Sequence, residues 1–504
     1  MKKLFSLYTL LALLSFVGCD KKGDDNIDNI ICVELSEEAV DIDPEGGSVD
    51  VTLYCDHKWT LDGLSDWCTP STTSGTANKE GQTISFSADV AYENRTALFE
   101  FRCAHETIEL VVTQEATTIA QNTIIYTSTD GNIVEPYNPK DFGATIVSNT
   151  YEGGIGIIEF DAPVTKIGKQ AFYECAKLKT ITPPNSVTEI GVSAFGHCKY
   201  LKNISLPEGL TSIGQISFGS CISLKQIVIP DSVKSIGDDA FKACSGLTDV
   251  TLGNGTSEIG SGTFSYCIKL TEITIPQGVV SIGYSAFDSC KSLKNVKLPN
   301  SLKEIHSKAF YACDNLQTIN IPYGVEVLGP SAFYYCANLM NITIPSTVSR
   351  VGSKAFGHCR ELSKLTLKNG ISEIGDQAFY CCANLTKIDL PPSLTTIENS
   401  AFYSCSMIES LTIPSNVQHI GASAFEGCYK LKTIYCKPST PPTSGATMFA
   451  NMYQNETSIL ASCPIYVPTA SVDDYKSAQY YNRQNDLYNF VKRNVQKSKI
   501  FASV

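Results

Sequence analysis

The sequence has little of what charge-driven and metal chemistry need. Lys and Arg number 39 against 51 Asp and Glu, so the 504 residues carry a net charge of −12 and show no basic stripe. Nucleic acid and anionic lipid surfaces call for clustered Lys and Arg, and are therefore excluded as partners on charge. The six histidines are scattered at His57, His105, His197, His306, His358 and His419, and none stands with the cysteines at ligand spacing, so no metal site is expected. No Ser or Cys has a base held by a third group, and no carboxylate pair suggests a cleft, so neither an enzyme nor a cofactor is expected. Tryptophan occurs twice, at Trp59 and Trp67.

What is abundant is one pattern, repeated. Phenylalanine falls at 172, 195, 218, 241, 264, 287, 310, 333, 356, 379, 402 and 425, always 23 residues apart, and a cysteine follows each three positions later, from Cys175 to Cys428. A fixed period of this length marks a solenoid, because one unit can bury its apolar face only against its neighbours. The copy at 227–247 shows the physics. Ile227-Val228-Ile229 alternates as a half-buried strand and Pro230 ends it. Val233 and Ile236 then point inward, Gly237 permits a tight bend, and Ala240-Phe241 with Cys244 recur at helical spacing. One strand and one short helical turn per repeat are expected, stacked as a parallel sheet with rungs about 4.8 Å apart.

The consensus LxxIxIPxxVxxIGxxAFxxC, with Gly after the Ile in ten copies and Pro after the strand in nine, resembles the leucine-rich repeat of the BspA-like bacterial surface proteins. Residues 31–117 have no such period; they alternate as in Val49-Asp50-Val51-Thr52-Leu53. Their Gly46-Gly47-Ser48, Trp59, Ser65-Asp66-Trp67, Asn94-Arg95 and Val112-Thr113-Gln114 resemble the BACON domain of Bacteroidetes secreted proteins. The expected fold is mostly β with short helical turns: a β-sandwich at 31–117, a linker and cap at 118–164, the twelve-repeat solenoid at 165–436 and a second cap at 437–504.

Residues 1–19 read as a positive start (Lys2, Lys3), an apolar stretch and Gly18-Cys19, the pattern of a secretory signal with a lipidated Cys19. The apolar stretch is shorter than the about 20 residues that span a bilayer. A charged tether at 20–30 follows. It is similar to the export signals that place Bacteroidetes lipoproteins on the outer face of the outer membrane.

The first resemblance implies a non-catalytic adhesin-like role, binding a host or cell-surface protein or glycoprotein. The alternative is a glycan-capture lipoprotein that binds polysaccharide through the solenoid or the BACON-like domain. Tyrosine gathers in the second half of the repeats at the position after Phe, as Tyr311, Tyr334, Tyr380 and Tyr403, with Tyr335 and Tyr323 nearby. These rings form either an aromatic binding patch or packing beneath the next turn. Trp59 and Trp67 could stack on a sugar ring or fill the sandwich core.

The twelve periodic cysteines are expected as a buried thiol ladder and not as disulfides. Cys55 with Cys103, and Cys436 with Cys463, are the pairings open to a bridge.

Overall fold

The computed structural model describes residues 33–89, 91, 94–104, 106–115, 117–444, 453–454, 457–458, 463 and 465–477. The signal segment with Cys19, the tether and most of the second cap lie outside the described residues. No helix among the described residues is long and apolar enough to cross a membrane. Two units separate, 1–118 and 119–504, each with its own apolar core.

In the first unit nine strands form two sheets: β1 (Val33–Leu35), β2 (Ala39–Ile42), β3 (Gly47–Cys55), β4 (Trp59–Asp62), β5 (Cys68–Pro70), β6 (Ser74–Gly75), β7 (Asn78–Ala88), β8 (Arg95–Cys103) and β9 (Glu106–Gln114). The orders are β1-β3-β7-β5 and β2-β9-β8-β4-β6. Alternating residues of both sheets meet in one core, with Val51, Ile84 and Phe86 on one side and Trp59, Phe99, Phe101 and Leu110 on the other. A disulfide between Cys55 of β3 and Cys103 of β8 ties the two sheets together.

The second unit opens with a cap of β10 (Thr123–Ser128), β11 (Ile146–Glu152) and β12 (Ile155–Phe160). Here β10 pairs antiparallel to the first repeat strand, Leu178–Thr182, and covers its otherwise open edge. Phe142 carries the aromatic column into this cap, its ring 5.7 Å from Phe172. At the far end Ile465–Tyr466 adds a further parallel rung to Thr433–Cys436. Tyr475 of the short helix Val472–Ser477 is buried and donates its hydroxyl to the Pro438 carbonyl.

Between the caps the repeat carries two strands where the sequence suggested one. The Leu-x-x-Ile-x-Ile segments build one set of parallel rungs, paired in separate stretches. A second ladder of two-residue strands, from Lys166–Ile167 to Thr443–Ser444, forms from the Val-x-x-Ile segment. The expected short helical turn around Ala-Phe-x-x-Cys is instead a run of tight turns that acts as a third ladder. In each repeat the residues two before and two after the Phe adopt left-handed φ. Twenty-two of these are not glycine, with φ between 51° and 63°, and Gly262 and Gly427 complete the set. This alternation divides the donors. Ala240, Lys242 and Cys244 bond back within the turn, while Asp239, Phe241 and Ala243 donate to Ser261, Thr263 and Ser265 of the next repeat. A helix would spend every donor internally, whereas this backbone joins each turn to its neighbour.

Candidate binding surface

The turn run fixes where its side chains go. The Phe rings point inward and stack in a column, with centroids 5.1–5.5 Å apart and planes within 12°. The cysteines lie beneath them as free thiols, buried except for the partly buried Cys175. Each donates its S–H to the carbonyl of the Phe one repeat earlier, as Cys244 Sγ does to Phe218 O at 3.1 Å and Cys336 Sγ to Phe310 O at 3.2 Å. Cys175, with no earlier repeat, donates to the Glu135 carbonyl of the cap. Burial pushes these thiols up, Cys244 and Cys428 to about 12, so they are inert as nucleophiles and ligands.

Most residues one and two after each Phe lie on the outer side of this run, Ser265, Ser289 and Glu426 being buried, and here the tyrosines meet. Tyr311 stacks on Tyr334 at 5.7 Å, and Tyr334 meets Tyr335 edge-on at 4.6 Å. Tyr335 in turn lies flat on His358 at 4.5 Å. His358 touches Tyr380 at 5.3 Å, and Tyr380 stacks on Tyr403 at 4.9 Å. The five named tyrosines thus form one continuous array across five repeats, completed by His358, which a reading of tyrosines alone omits. Gly357 fills the position after Phe356, and an added Cβ there would meet the Tyr334 ring at 2.6 Å. Glycine at that position lets Tyr334 lean across to the histidine. Tyr323 is 77% exposed in a different turn and makes no ring contact, so it stands apart from the array.

The four tyrosines of the array that follow a Phe are half-buried. Burial first, then neighbouring acidic groups and phenols, raises Tyr311, Tyr334, Tyr380 and Tyr403 above the usual phenol value, keeping their hydroxyls as donors. Burial, with Arg360 second, holds His358 below its ordinary value, and its Nδ1 has no hydrogen-bond partner. The ring faces are mostly spent on one another, and Lys308 Nζ lies 5.7 Å over Tyr311. What the array presents outward is ring edges and hydroxyls.

The two tryptophans are placed differently. Trp59 is 2% exposed, packed on Phe101 at 5.7 Å, and offers no face to a ligand. Trp67 is half-buried with the Arg95 guanidinium 4.7 Å over its ring. Arg95 also donates twice to Gln114 Oε1, and Gln114 Nε2 donates to the Asp43 and Asp89 carbonyls. The Asn94-Arg95 and Val112-Thr113-Gln114 motifs are thus fasteners of the sandwich. Cys436 and Cys463 are buried free thiols, so of the two pairings considered only Cys55–Cys103 is a bridge.

The BACON profile, described as a putative binding domain, matches residues 58–115. Among solved structures the chain is similar to a leucine-rich repeat protein from Bacteroides ovatus, 26% identical, covering 70% of this chain and 99% of that one with a TM-score of 0.44. It is also similar to a leucine rich cell surface protein from Faecalibacterium prausnitzii, 30% identical over 50% of this chain and 83% of that one, TM-score 0.32. A leucine rich repeat protein of T. pallidum is 33% identical over 36% and 73% of the two chains, TM-score 0.28. No curated protein sequence matches the chain. The profile of the BspA type leucine rich repeat region matches residues 144–271, 211–339 and 326–456, more than half of the sequence, and the chain belongs to that family.

Proposed function

We infer that this chain is a non-catalytic, adhesin-like surface lipoprotein, anchored in the outer membrane through Cys19 and facing outward, that grips an extracellular protein or glycoprotein with the turn edge of its solenoid. The observation that carries this reading is the unbroken array from Tyr311 to Tyr403. Tyrosine gives large contact area for little rotamer entropy, and a row held rigid by its own stacking is organised before a partner arrives. Polysaccharide capture at the same edge is disfavoured, because a sugar ring stacks on an open aromatic face and these faces are largely covered. The absence of an open face on Trp59 speaks the same way for the first unit.

The test replaces Tyr311, Tyr334, Tyr380 and Tyr403 together by Ser in the full chain. Native and variant proteins are applied to an array of matrix glycoproteins, mucins and isolated polysaccharides. Binding to one or more proteins that the variant loses, with its β dichroism retained, is the expected result. Undiminished protein binding by the variant would end this reading.

A further inference from the structure

The solenoid contains a fault. The segment Leu252-Gly253-Asn254-Gly255-Thr256 departs from the consensus, with Gly253 in place of Pro and Thr256 in place of the inward Val, Leu or Ile of every other copy. Thr256 is buried with its hydroxyl unpaired. Both strand ladders part around this segment. The first is broken between Asp249–Thr251 and Glu272–Thr274, and the second between Ser235–Ile236 and Glu258–Ile259. The turn ladder runs on, since Phe241 still donates to Thr263 and Phe264 to Ala286. Each of the two gaps is therefore open at one strand ladder and closed at the other, since Gln226–Val228 still pairs with Asp249–Thr251 and Glu258–Ile259 with Ser281–Ile282. Asp231 and Asp238 span the preceding gap, accepting from the backbone N–H groups of Asn254 and Ser261, so the opening that remains lies between Asp249–Thr251 and Glu272–Thr274.

The opening is a slot of about 540 Å³, within the range of roughly 300–1,000 Å³ of small-molecule sites. At its floor Val250 is only partly covered, and Ile273 and Ile275 are buried behind it. Its rim is polar and unspent. Thr251, Glu272, Thr274, Gln277, Asn295 and Lys297 make no side-chain hydrogen bond or ion pair. Some charges elsewhere on the solenoid are paired across rungs, as Arg350 with Glu373 and Lys432 with Glu409.

We propose that this slot is a saccharide-binding site, separate from the tyrosine edge. A sugar ring is amphipathic in the same layout. Its C–H face suits Val250, and its hydroxyls, each able to donate or accept, reach the carboxylate, amide, hydroxyl and ammonium groups around the rim. A nucleic acid would meet Asp249 and Glu272. An added peptide strand would find edges only three residues long, flanked on both sides by existing rungs. The affinity resides in the rim groups and in the space between the rungs, which gives two independent ways to remove it.

The full-length protein is titrated with a panel of neutral and acidic mono- to oligosaccharides and with Lys- and Arg-containing peptides, read by calorimetry and saturation-transfer NMR. One or more saccharides bind the native chain. Thr274→Trp, which fills the slot from an outward position, and Glu272→Ala, which removes a rim acceptor, each weaken binding about tenfold or more. Thr343→Trp, at the same strand position where Asn341–Ile344 stays paired to Lys364–Leu367, leaves it unchanged, as does the tyrosine quadruple variant. Failure of every saccharide to bind overturns the proposal, as does peptide binding in their place or full affinity in a Thr274→Trp chain that melts normally.

Discussion

Cysteine three positions after each Phe is the residue whose burial the sequence made plain and whose bonding it concealed. A strict register at an apolar position predicts packing as a small hydrophobe, and the eleven thiols from Cys198 to Cys428 are indeed buried. That each also donates to the carbonyl of an earlier Phe depends on the left-handed residues of the turn, which no propensity argument anticipates because most of them are not glycine. A consequence is testable with alkali. A thiol held neutral in the fold and free to ionise when unfolded stabilises the protein fully below the ordinary value of 9.0 and loses that contribution as pH rises toward about 12 for Cys244 and Cys428. Each costs about 1.4 kcal/mol per pH unit in that window, and the column as a whole makes the decline steep. Melting temperature is expected to hold to pH 9 and then fall sharply, with thiolate absorbance appearing only as β dichroism is lost. Thiolate growing in at pH 9–10 within an intact fold would refute the ladder.

At the scale of the element, repeat number, period and inward positions were legible because stacking imposes one environment twelve times. The second strand ladder was not, since a two-residue strand is too short to show alternation. Gly237 was expected as the hinge of a tight bend, but its role is close approach. An added Cβ there would lie 2.5 Å from Gln215 N and 2.7 Å from Gly214 C, while at Gly260, beside the fault, the nearest atom is Ile236 O at 3.1 Å. Gly237→Ala is expected to cost about 1–3 kcal/mol by overpacking. Gly260→Ala is expected to cost clearly less, and denaturant midpoints compare the two. Equal costs would mean that the rungs are no wider apart at the fault. The tyrosine array was half legible for a related reason. The position after Phe marked Tyr311, Tyr334, Tyr380 and Tyr403, but His358 joins them only because Gly357 lets one ring cross to the next repeat.

The two units of the whole chain stabilise themselves by different chemistry, and one reagent separates them. The first is small, and its disulfide joins Cys55 and Cys103, 48 residues apart, across two sheets. Losing such a loop closure costs about 2–4 kcal/mol. The second has a core that runs from cap to cap and thiols that are already reduced, so a reductant has nothing there to break. The probes separate as cleanly as the chemistry. Both tryptophans, Trp59 and Trp67, lie in the first unit, so tryptophan fluorescence follows it alone, while dichroism is dominated by the longer solenoid. In the full chain, dithiothreitol is expected to lower the fluorescence-detected transition by about 10 °C or more and to leave the dichroism transition in place. A shift in the solenoid transition would instead mean that cysteines there pair in the folded protein. Cys436 and Cys463 would then be the first to replace, because they lie outside the column that the repeat holds in register.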